Sequence, residues 1–100
     1  ENSIRQLGCN IRKARLRRNW REQDLADKVG VSRPMIGKIE RGTPSVAIAN
    51  YLGALWALGL LDHMTTVADP AHDPEGQALE NSRARKQARP TANTQLDDDF

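Results

Sequence analysis

Cysteine is nearly absent from this chain of 100 residues, because Cys9 stands alone. A single cysteine cannot close an internal disulfide, so the fold must be held by packing, as is usual in a reducing cytosol. The chain also lacks the apolar run of roughly 18 residues that a membrane-spanning helix needs, and no signal-peptide pattern opens it. The sequence therefore predicts a soluble protein with a cytoplasmic location and no membrane partner.

Groups of residues that could carry out catalysis or hold a metal are missing as well. His63 and His72 are nine residues apart, and no cluster of Cys, His and carboxylate residues surrounds them. The sequence contains no glycine-rich phosphate loop and no nucleophile with a nearby base. We therefore predict that the protein is not an enzyme and that it holds no metal and no cofactor.

The charge is distributed unevenly along a chain that is long enough for one small domain and a tail. Up to Arg41 there are 11 Lys or Arg against 5 Asp or Glu, which gives 11 − 5 = +6. Residues 42–78 have no Lys or Arg and 4 acids, and residues 79–100 have 4 of each. A basic surplus confined to one part of the chain is typical of a phosphate-binding surface, although helical bundles also carry unbalanced faces without that role.

The basic part of the chain predicts two short helices joined by a tight turn. Leu25 and Val29 recur at helical spacing and give the first helix an apolar face. Gly30 follows, where a left-handed helix terminus needs a residue without a Cβ. Ser32 then stands at the N-cap of the second helix, where its hydroxyl can accept a backbone N–H.

The second helix has two different sides. Pro34 is confined to its first turn, where the missing N–H does no harm. Ile36 and Ile39 are three residues apart and face the core. The other side carries the basic residues Arg33, Lys38 and Arg41. A helix with apolar residues behind and basic and small residues in front is suited to enter a groove of a nucleic acid.

The segment L-A-D-K-V-G-V-S-R-P-M-I-G-K-I-E-R-G, residues 25–42, closely resembles the core pattern of the lambdoid-repressor-like helix-turn-helix regulators, the XRE family. The likeness extends over roughly residues 7–59. It implies an all-α fold, a five-helix lambda-repressor-like domain, followed here by a short C-terminal helix and a flexible tail. It also implies a repressor that binds a double-stranded DNA operator.

A narrower resemblance involves the segments that follow. Taken in succession with G-V-S-R-P-M-I-G-K-I-E-R-G, the segments Y-L-G-A-L-W-A-L-G-L-L-D and A-D-P-A-H-D-P-E-G-Q-A-L-E are similar to HipB-type antitoxins, which pair with HipA-type kinase toxins. This resemblance implies an antitoxin that represses its own HipBA-like operon and binds a HipA-like kinase toxin. The alternatives are a stand-alone XRE-type regulator, of phage or chromosomal origin, and a toxin-binding module in which DNA binding is secondary.

The resemblance also assigns residues to DNA contacts. The expected base-contacting residues are Arg33, Pro34, Gly37 and Lys38. An arginine can bridge the O6 and N7 acceptors of guanine. Because only Arg33 and Lys38 among these residues have polar side chains, DNA shape would supply part of the specificity. The alternative for Arg33 is a solvated arginine at a helix start. The expected contacts to the DNA backbone are Arg18, Arg21, Ser32, Met35, Arg41 and Thr43.

Two positions depart from the family pattern. Arg21 stands where the family usually has a Ser or Thr that caps the second helix, and arginine cannot accept a hydrogen bond. Glu22 stands where many relatives have a glutamine that contacts phosphate, and a carboxylate is repelled by phosphate. Arg21 or Arg18 is expected to replace that contact.

The resemblance further implies a buried ion pair between Arg15 and Glu40. A guanidinium suits a carboxylate geometrically, and Glu40 lies between Ile39 and the turn. The alternative is that both charges are solvated. Trp20 is expected to fill the base of the motif between the first two helices.

The flanking sequence predicts further helices around the motif. A first helix capped by Ser3 should run to about Arg18, a fourth from about Ala47 to Leu58, and a fifth from about Leu60 to Ala68. A short helix starting at Asp73 should follow. The expected buried residues of the flanking helices are Ile4, Leu7, Ile11, Ala14, Ile48, Tyr51, Leu52, Leu55 and Leu58.

The apolar residues after residue 55 exceed what one small core needs, which indicates a homodimer. The expected interface consists of Trp56, Leu60, Leu61, Met64 and Val67. A dimer would place two recognition helices about 34 Å apart, the spacing of half-sites one turn of DNA apart. The alternative is a monomer that packs these residues onto itself. Residues 1–68 are thus expected to form the DNA-binding and dimerisation domain, and residues 69–100 a largely flexible extension whose tail is a spacer, an accessory DNA contact or a partner-binding segment.

Overall fold

In the computed structural model, which describes residues 2–87, all regular structure is helical, so the predicted fold class is confirmed. The chain divides into two units after Met64. The α-helices are α1 (Asn2–Arg17), α2 (Glu22–Val29), α3 (Arg33–Glu40), α4 (Ile48–Ala57) and α5 (Pro74–Gln87), with short 3-10 helices at Leu61–Thr66 and Pro70–His72. The first unit contains α1 to α4, and the second contains α5.

One apolar core holds α1 to α4 together. Its largest fully buried side chains are Ile11, Leu25, Ile36 and Ile39. Helix α3 packs against both α1 and α2, while α4 packs against α2 and α1. The buried side of α3 is therefore covered by two helices, which leaves its opposite side as an exposed surface of the unit.

The turn between α2 and α3 forms as its residues predict. Gly30 has a left-handed backbone, with φ of 86°, and its N–H donates to the carbonyl of Ala26 at 2.8 Å. The hydroxyl of Ser32 accepts the N–H of Met35 at 3.3 Å, which caps α3. These two local devices set the direction in which α3 leaves α2.

The first helix differs slightly from its prediction. It begins at Asn2, so Ser3 lies inside it rather than capping it. Asn19 adopts a left-handed backbone, with φ of 60°, and stops the helix, because asparagine tolerates this region better than most residues. Ile11 and Ala14 are buried as expected, while the residues nearer the start are only partly buried.

The prediction that Ile48 is buried is wrong, since 67% of this residue is exposed. Ile48 is the first residue of α4 and lies one turn before the buried Tyr51, so it projects past the edge of a small core. Ala54, whose side chain is short, is fully buried instead. Periodicity identified the correct face of α4 but not where the core ends along it.

The predicted fifth α-helix is a 3-10 helix, Leu61–Thr66, none of whose residues is fully buried. It is confined between two left-handed residues, Gly59 with φ of 77° and Ala68 with φ of 61°. So short a segment gains few i→i−4 hydrogen bonds for the cost of ordering it, and the tighter 3-10 turn is common in such connectors.

The C-terminal helix is longer than expected. Because α5 continues to Gln87, residues 84–87 are helical, although the sequence assigned them to a flexible tail. Residues 88–100 of the predicted tail lie outside the described residues. Between residues 2 and 87, no helix is both long enough and apolar enough to cross a membrane.

Candidate nucleic-acid interface

The outer side of α3 carries all the residues predicted to contact bases. Arg33, Pro34 and Lys38 are exposed and Gly37 is partly exposed. These positions are one, four and five residues apart, so they lie on one face of the helix. Ile36 and Ile39 on the opposite side are completely buried, which fixes the rotation of α3 in the fold.

Gly37 leaves a shallow space on this face that Arg41 borders. A Cβ added at Gly37 would lie 3.3 Å from the Nη1 atom of Arg41. Arg41 follows the last residue of α3, and its exposed side chain therefore leans back along the helix towards Gly37. The guanidinium therefore lies beside the face that carries the predicted base-contacting residues.

Glu22 has a partner that sequence reasoning missed. Its Oε1 lies 3.9 Å from the Nε of Arg33, which makes an ion pair between the first residues of α2 and α3. Because this contact uses Nε, it does not occupy Nη1 and Nη2 of Arg33. These two nitrogens can donate parallel hydrogen bonds to two neighbouring acceptors. The sequence feature that could have predicted this ion pair is the departure from the family pattern at Glu22, where a carboxylate replaces the usual glutamine.

Asp24 supplies the cap of α2 that Arg21 cannot provide. The backbone N–H of Arg21 donates to Oδ2 of Asp24 at 2.8 Å, and the Arg21 guanidinium donates to Oδ1 at 3.0 Å. This is the carboxylate half of a capping box. The side-chain and backbone hydrogen bonds from Arg21 lower the pKa of Asp24, and the hydrogen bond to Asp24 raises the pKa of Arg21.

The lowered pKa of Asp24 predicts a pH dependence of stability. The contribution of this carboxylate should be complete above the unfolded-state pKa of about 3.9 and should be lost as the pH falls through the lower folded-state pKa. Urea unfolding of the wild type and of Asp24→Asn between pH 7 and pH 2 should show a constant difference above about pH 4 that closes below it. Asp27→Asn removes a carboxylate whose Oδ1 accepts from the Gln23 amide, and this variant corrects for the change in net charge. A difference that does not vary with pH would contradict the assignment.

The structure gives Arg18 a set of partners within the fold. Its Nη1 donates to the carbonyl of Ala14 at 2.8 Å, and its Nη2 donates to the carbonyl of Leu58 at 2.9 Å. Both carbonyls lie near helix ends, where backbone acceptors lack partners within the helix. Arg18 thus joins the end of α1 to the end of α4. Its predicted contact with a DNA phosphate stays a prediction.

The turn that follows α3 is fastened from behind by a buried tyrosine. The Tyr51 hydroxyl donates to the carbonyl of Thr43 at 2.9 Å, and the Thr43 N–H donates to the carbonyl of Lys38 at 3.1 Å. Burial raises the pKa of Tyr51, which keeps this donor protonated. Met35 lies half-buried nearby, with the Asn50 amide donating to its sulfur at 3.7 Å. Thr43 is thereby held beside the end of α3.

Arg15 and Glu40 are brought together beneath α3. Nε of Arg15 donates to Oε2 of Glu40 at 2.6 Å and Nη2 donates to Oε1 at 3.1 Å, while Nη1 donates to the carbonyl of Trp20 at 2.8 Å. The two side chains are only 7% and 4% exposed. The hydrogen bond to Glu40 raises the pKa of Arg15 despite burial. This pair bonds α1 to the end of α3 and removes the one carboxylate of α3 from the surface.

Comparison with known proteins agrees with this geometry. Residues 11–53, from the second half of α1 into α4, match the family model described as helix-turn-helix. This part of the chain is a helix-turn-helix domain of the XRE type. The chain is also 34% identical over 88 residues to the HTH-type transcriptional regulator SutR of Escherichia coli (strain K12). That match covers 79% of this chain but only 47% of SutR, so the chain spans about half the length of that relative. No solved structure matches.

The residues predicted to form a dimer interface are divided by the structure. Trp56 is 63% exposed on α4 of the helix-turn-helix domain. Leu60, Leu61 and Met64 are half-buried and pack against the domain's own core. Val67 belongs to the second unit. Much of the apolar surplus is therefore used within one chain, and the dimer remains a proposal.

Among residues 2–87, no group of three or more His, Cys, Asp or Glu side chains is arranged to hold a metal ion. Cys9 is exposed on α1 as a free thiol.

Proposed function

We propose that the chain binds double-stranded DNA in a sequence-specific manner and regulates transcription, acting as a repressor at the nucleoid. The main support is the charge of α3. Its only carboxylate, Glu40, is buried against Arg15, so the exposed side of the helix carries positive and small side chains alone. Such a surface is attracted to phosphates and fits the major groove, which admits an α-helix.

Base recognition is assigned to the outer side of α3. Arg33 donates through its two terminal nitrogens to O6 and N7 of a guanine, while Glu22 holds its Nε. Lys38, one turn further on, donates to a guanine or a phosphate. Pro34 and Gly37 have no side-chain donors, and they allow close approach and apolar contact with a thymine methyl group.

Contacts to the DNA backbone are assigned to the margin of that face. Arg21 and Ser32 lie at the starts of α2 and α3, and Arg41 and Thr43 lie in the turn after α3. Met35 adds an apolar contact at the edge. These residues set position and salt dependence but carry no sequence information.

Substituting Arg33 tests the proposal. A duplex selected from a random-sequence pool by the wild-type protein serves as the operator, and a shuffled version serves as nonspecific DNA. Arg33→Ala should reduce the ratio of the two affinities by about 5- to 150-fold, the equivalent of about 1–3 kcal/mol for one bidentate pair. Fluorescence anisotropy at fixed salt measures both dissociation constants.

The matched control for this test is Arg17→Ala, which removes an exposed cation from α1. It should slightly weaken binding to both duplexes and leave the ratio of the two affinities unchanged. An unaltered ratio in Arg33→Ala would refute the assignment of Arg33 to a base.

A homodimer is also proposed, with Trp56 at the centre of its interface. The support is a large aromatic residue left 63% exposed, a type that dominates interfaces. Sedimentation equilibrium at micromolar concentration should give twice the chain mass of 11.1 kDa, and Trp56→Ala should shift the mass towards that of one chain. A wild type that sediments as a single chain at these concentrations would contradict the dimer.

An antitoxin role, with a HipA-like kinase toxin as partner and a HipBA-like operon as target, is the second proposal. It is supported by the resemblance of residues 51–62 and 68–80 and by α5, none of whose residues is buried. The neighbouring gene tests it, because a kinase-like reading frame supports the antitoxin and an unrelated one favours a stand-alone regulator.

A further inference from the structure

Helix α1 carries cations that the base-contacting face does not use. It has five basic residues and no acid. Arg15 is buried with Glu40, whereas the remaining four are exposed. These four are Arg5, Arg12, Lys13 and Arg17. None of the four is joined to a carboxylate by an ion pair among residues 2–87.

Arg5 and Arg12 border the line along which α1 meets the end of α3. Residues three or four apart are neighbours on a helix surface. Arg5 precedes Gly8 by three residues, and Arg12 lies between Gly8 and Arg15, four and three residues away. Gly8 touches the end of α3 closely, because a Cβ there would lie 2.5 Å from the carbonyl oxygen of Ile39. Arg15 binds Glu40 in the same region.

Arg5 is also adjacent to the turn that follows α3. A Cβ added at Gly42 would lie 2.5 Å from the Cα of Arg5, so the two backbones are in direct contact. Arg41 and Thr43 flank Gly42 and are themselves assigned to the DNA backbone. The exposed side chain of Arg5 therefore starts at the rim of the proposed interface.

Lys13 and Arg17 form the comparison pair. They are four residues apart, so they are neighbours on α1, but neither is three or four residues from Gly8 or Arg15. They lie on a different side of the same helix, with the same total charge and similar exposure.

We propose that Arg5 and Arg12, the α1 arginine pair, bind two phosphates of the DNA backbone beside the bases that α3 contacts. The inference rests on the proposed function and adds a second helix to the interface. Two guanidinium groups that have no carboxylate partner in the described residues, and that lie at the border of a cationic face, suit phosphate oxygens, which they can bind through forked hydrogen bonds. Such contacts add affinity without sequence preference.

The test compares two double variants, Arg5→Ala/Arg12→Ala and Lys13→Ala/Arg17→Ala, in the full chain. Affinity for the selected duplex and for its shuffled version is measured from 50 to 300 mM KCl. Each phosphate contact contributes about 0.9 to the slope of log Kobs against log [KCl]. The variant Arg5→Ala/Arg12→Ala should therefore have a slope that is smaller in magnitude than the wild-type slope by about 1.8 per bound chain on both duplexes, while the ratio of its two affinities stays unchanged. The Lys13/Arg17 variant should change it by less than about 0.5, and Arg5→Lys/Arg12→Lys should retain most of the wild-type slope.

The outcomes separate this inference from the proposed function. A wild type that binds both duplexes equally contradicts sequence-specific binding. If the wild type discriminates between the two duplexes but the two double alanine variants have equal slopes, the proposed phosphate contacts of Arg5 and Arg12 are refuted and sequence-specific binding is not. Thermal unfolding of all variants shows whether the fold is intact. An intact fold is expected because the four side chains are exposed and form no ion pair with any residue from 2 to 87.

Discussion

Glu40→Ala should lower the free energy of unfolding by about 3–5 kcal/mol, because it leaves the Arg15 guanidinium buried without its counter-charge. Two hydrogen bonds of 2.6 and 3.1 Å would be lost, and only the bond to the Trp20 carbonyl would remain. Small domains have total stabilities of about 5–15 kcal/mol, so a loss of this size would remove most of the stability of a domain at the lower end of that range. The end of α3, which Glu40 fastens to α1, should lose its position first.

Urea unfolding followed by circular dichroism measures this loss. The matched control is Glu22→Ala, which removes a carboxylate from a long, exposed ion pair and should cost about 1 kcal/mol or less. The double variant Arg15→Met/Glu40→Leu removes both charges and should be more stable than Glu40→Ala, since no unpaired charge remains buried. A loss of less than about 1 kcal/mol in Glu40→Ala would show that the pair does not hold the fold.

Gly8→Ala should destabilise the protein by about 1–3 kcal/mol, although alanine is the better helix former. The added Cβ would lie 2.5 Å from the carbonyl oxygen of Ile39 and 2.8 Å from both the Glu40 carbonyl oxygen and the Gly42 N. All three are backbone atoms, so relief requires that α1 move away from the end of α3. The same movement disturbs the proposed interface, and DNA affinity should fall with stability.

Gly37→Ala is the matched control for this substitution. Gly37 is also inside a helix, but its added Cβ would approach only the end of the exposed Arg41 side chain, at 3.3 Å. Relief there needs a small movement of a flexible group, so the variant should gain up to about 1 kcal/mol from helix propensity. Thermal melts of both variants provide the comparison. If Gly8→Ala were as stable as Gly37→Ala, the close contact between α1 and α3 would be refuted.

Local sequence features predicted the centre of the domain well. Gly30, Ser32 and Pro34 act through their own backbone geometry, so the turn and the start of α3 follow from residues within a few positions of one another. The rotation of α3 follows from Ile36 and Ile39 in the same way. The Arg15–Glu40 pair came from family resemblance rather than spacing, because the two residues are 25 positions apart.

Other features depended on contacts between distant segments. The carbonyls that Arg18 binds include that of Leu58, 40 residues away, and nothing near Arg18 in the sequence signals it. Gly8 reads as an ordinary helix glycine until α3 is placed against it. Ile48 lies on the apolar face of α4, yet it is exposed because the core ends before the first residue of that helix. The extent of the core is visible only in the folded structure.

The sequence by itself determined that this protein has a helix-turn-helix and which side of α3 faces outward, since helical spacing and caps act over a few residues. Only the tertiary structure decided which cations are free to meet a partner. The arginines differ in what they contact. Arg15 and Arg18 bind groups of the fold itself, and Arg33 pairs through Nε with Glu22. Arg5 and Arg12 have no ion-pair partner within the described part of the chain, residues 2–87. The sequence gives the charge of each side chain, but the packing of the helices decides which charged side chains lie close to a partner that neutralises them.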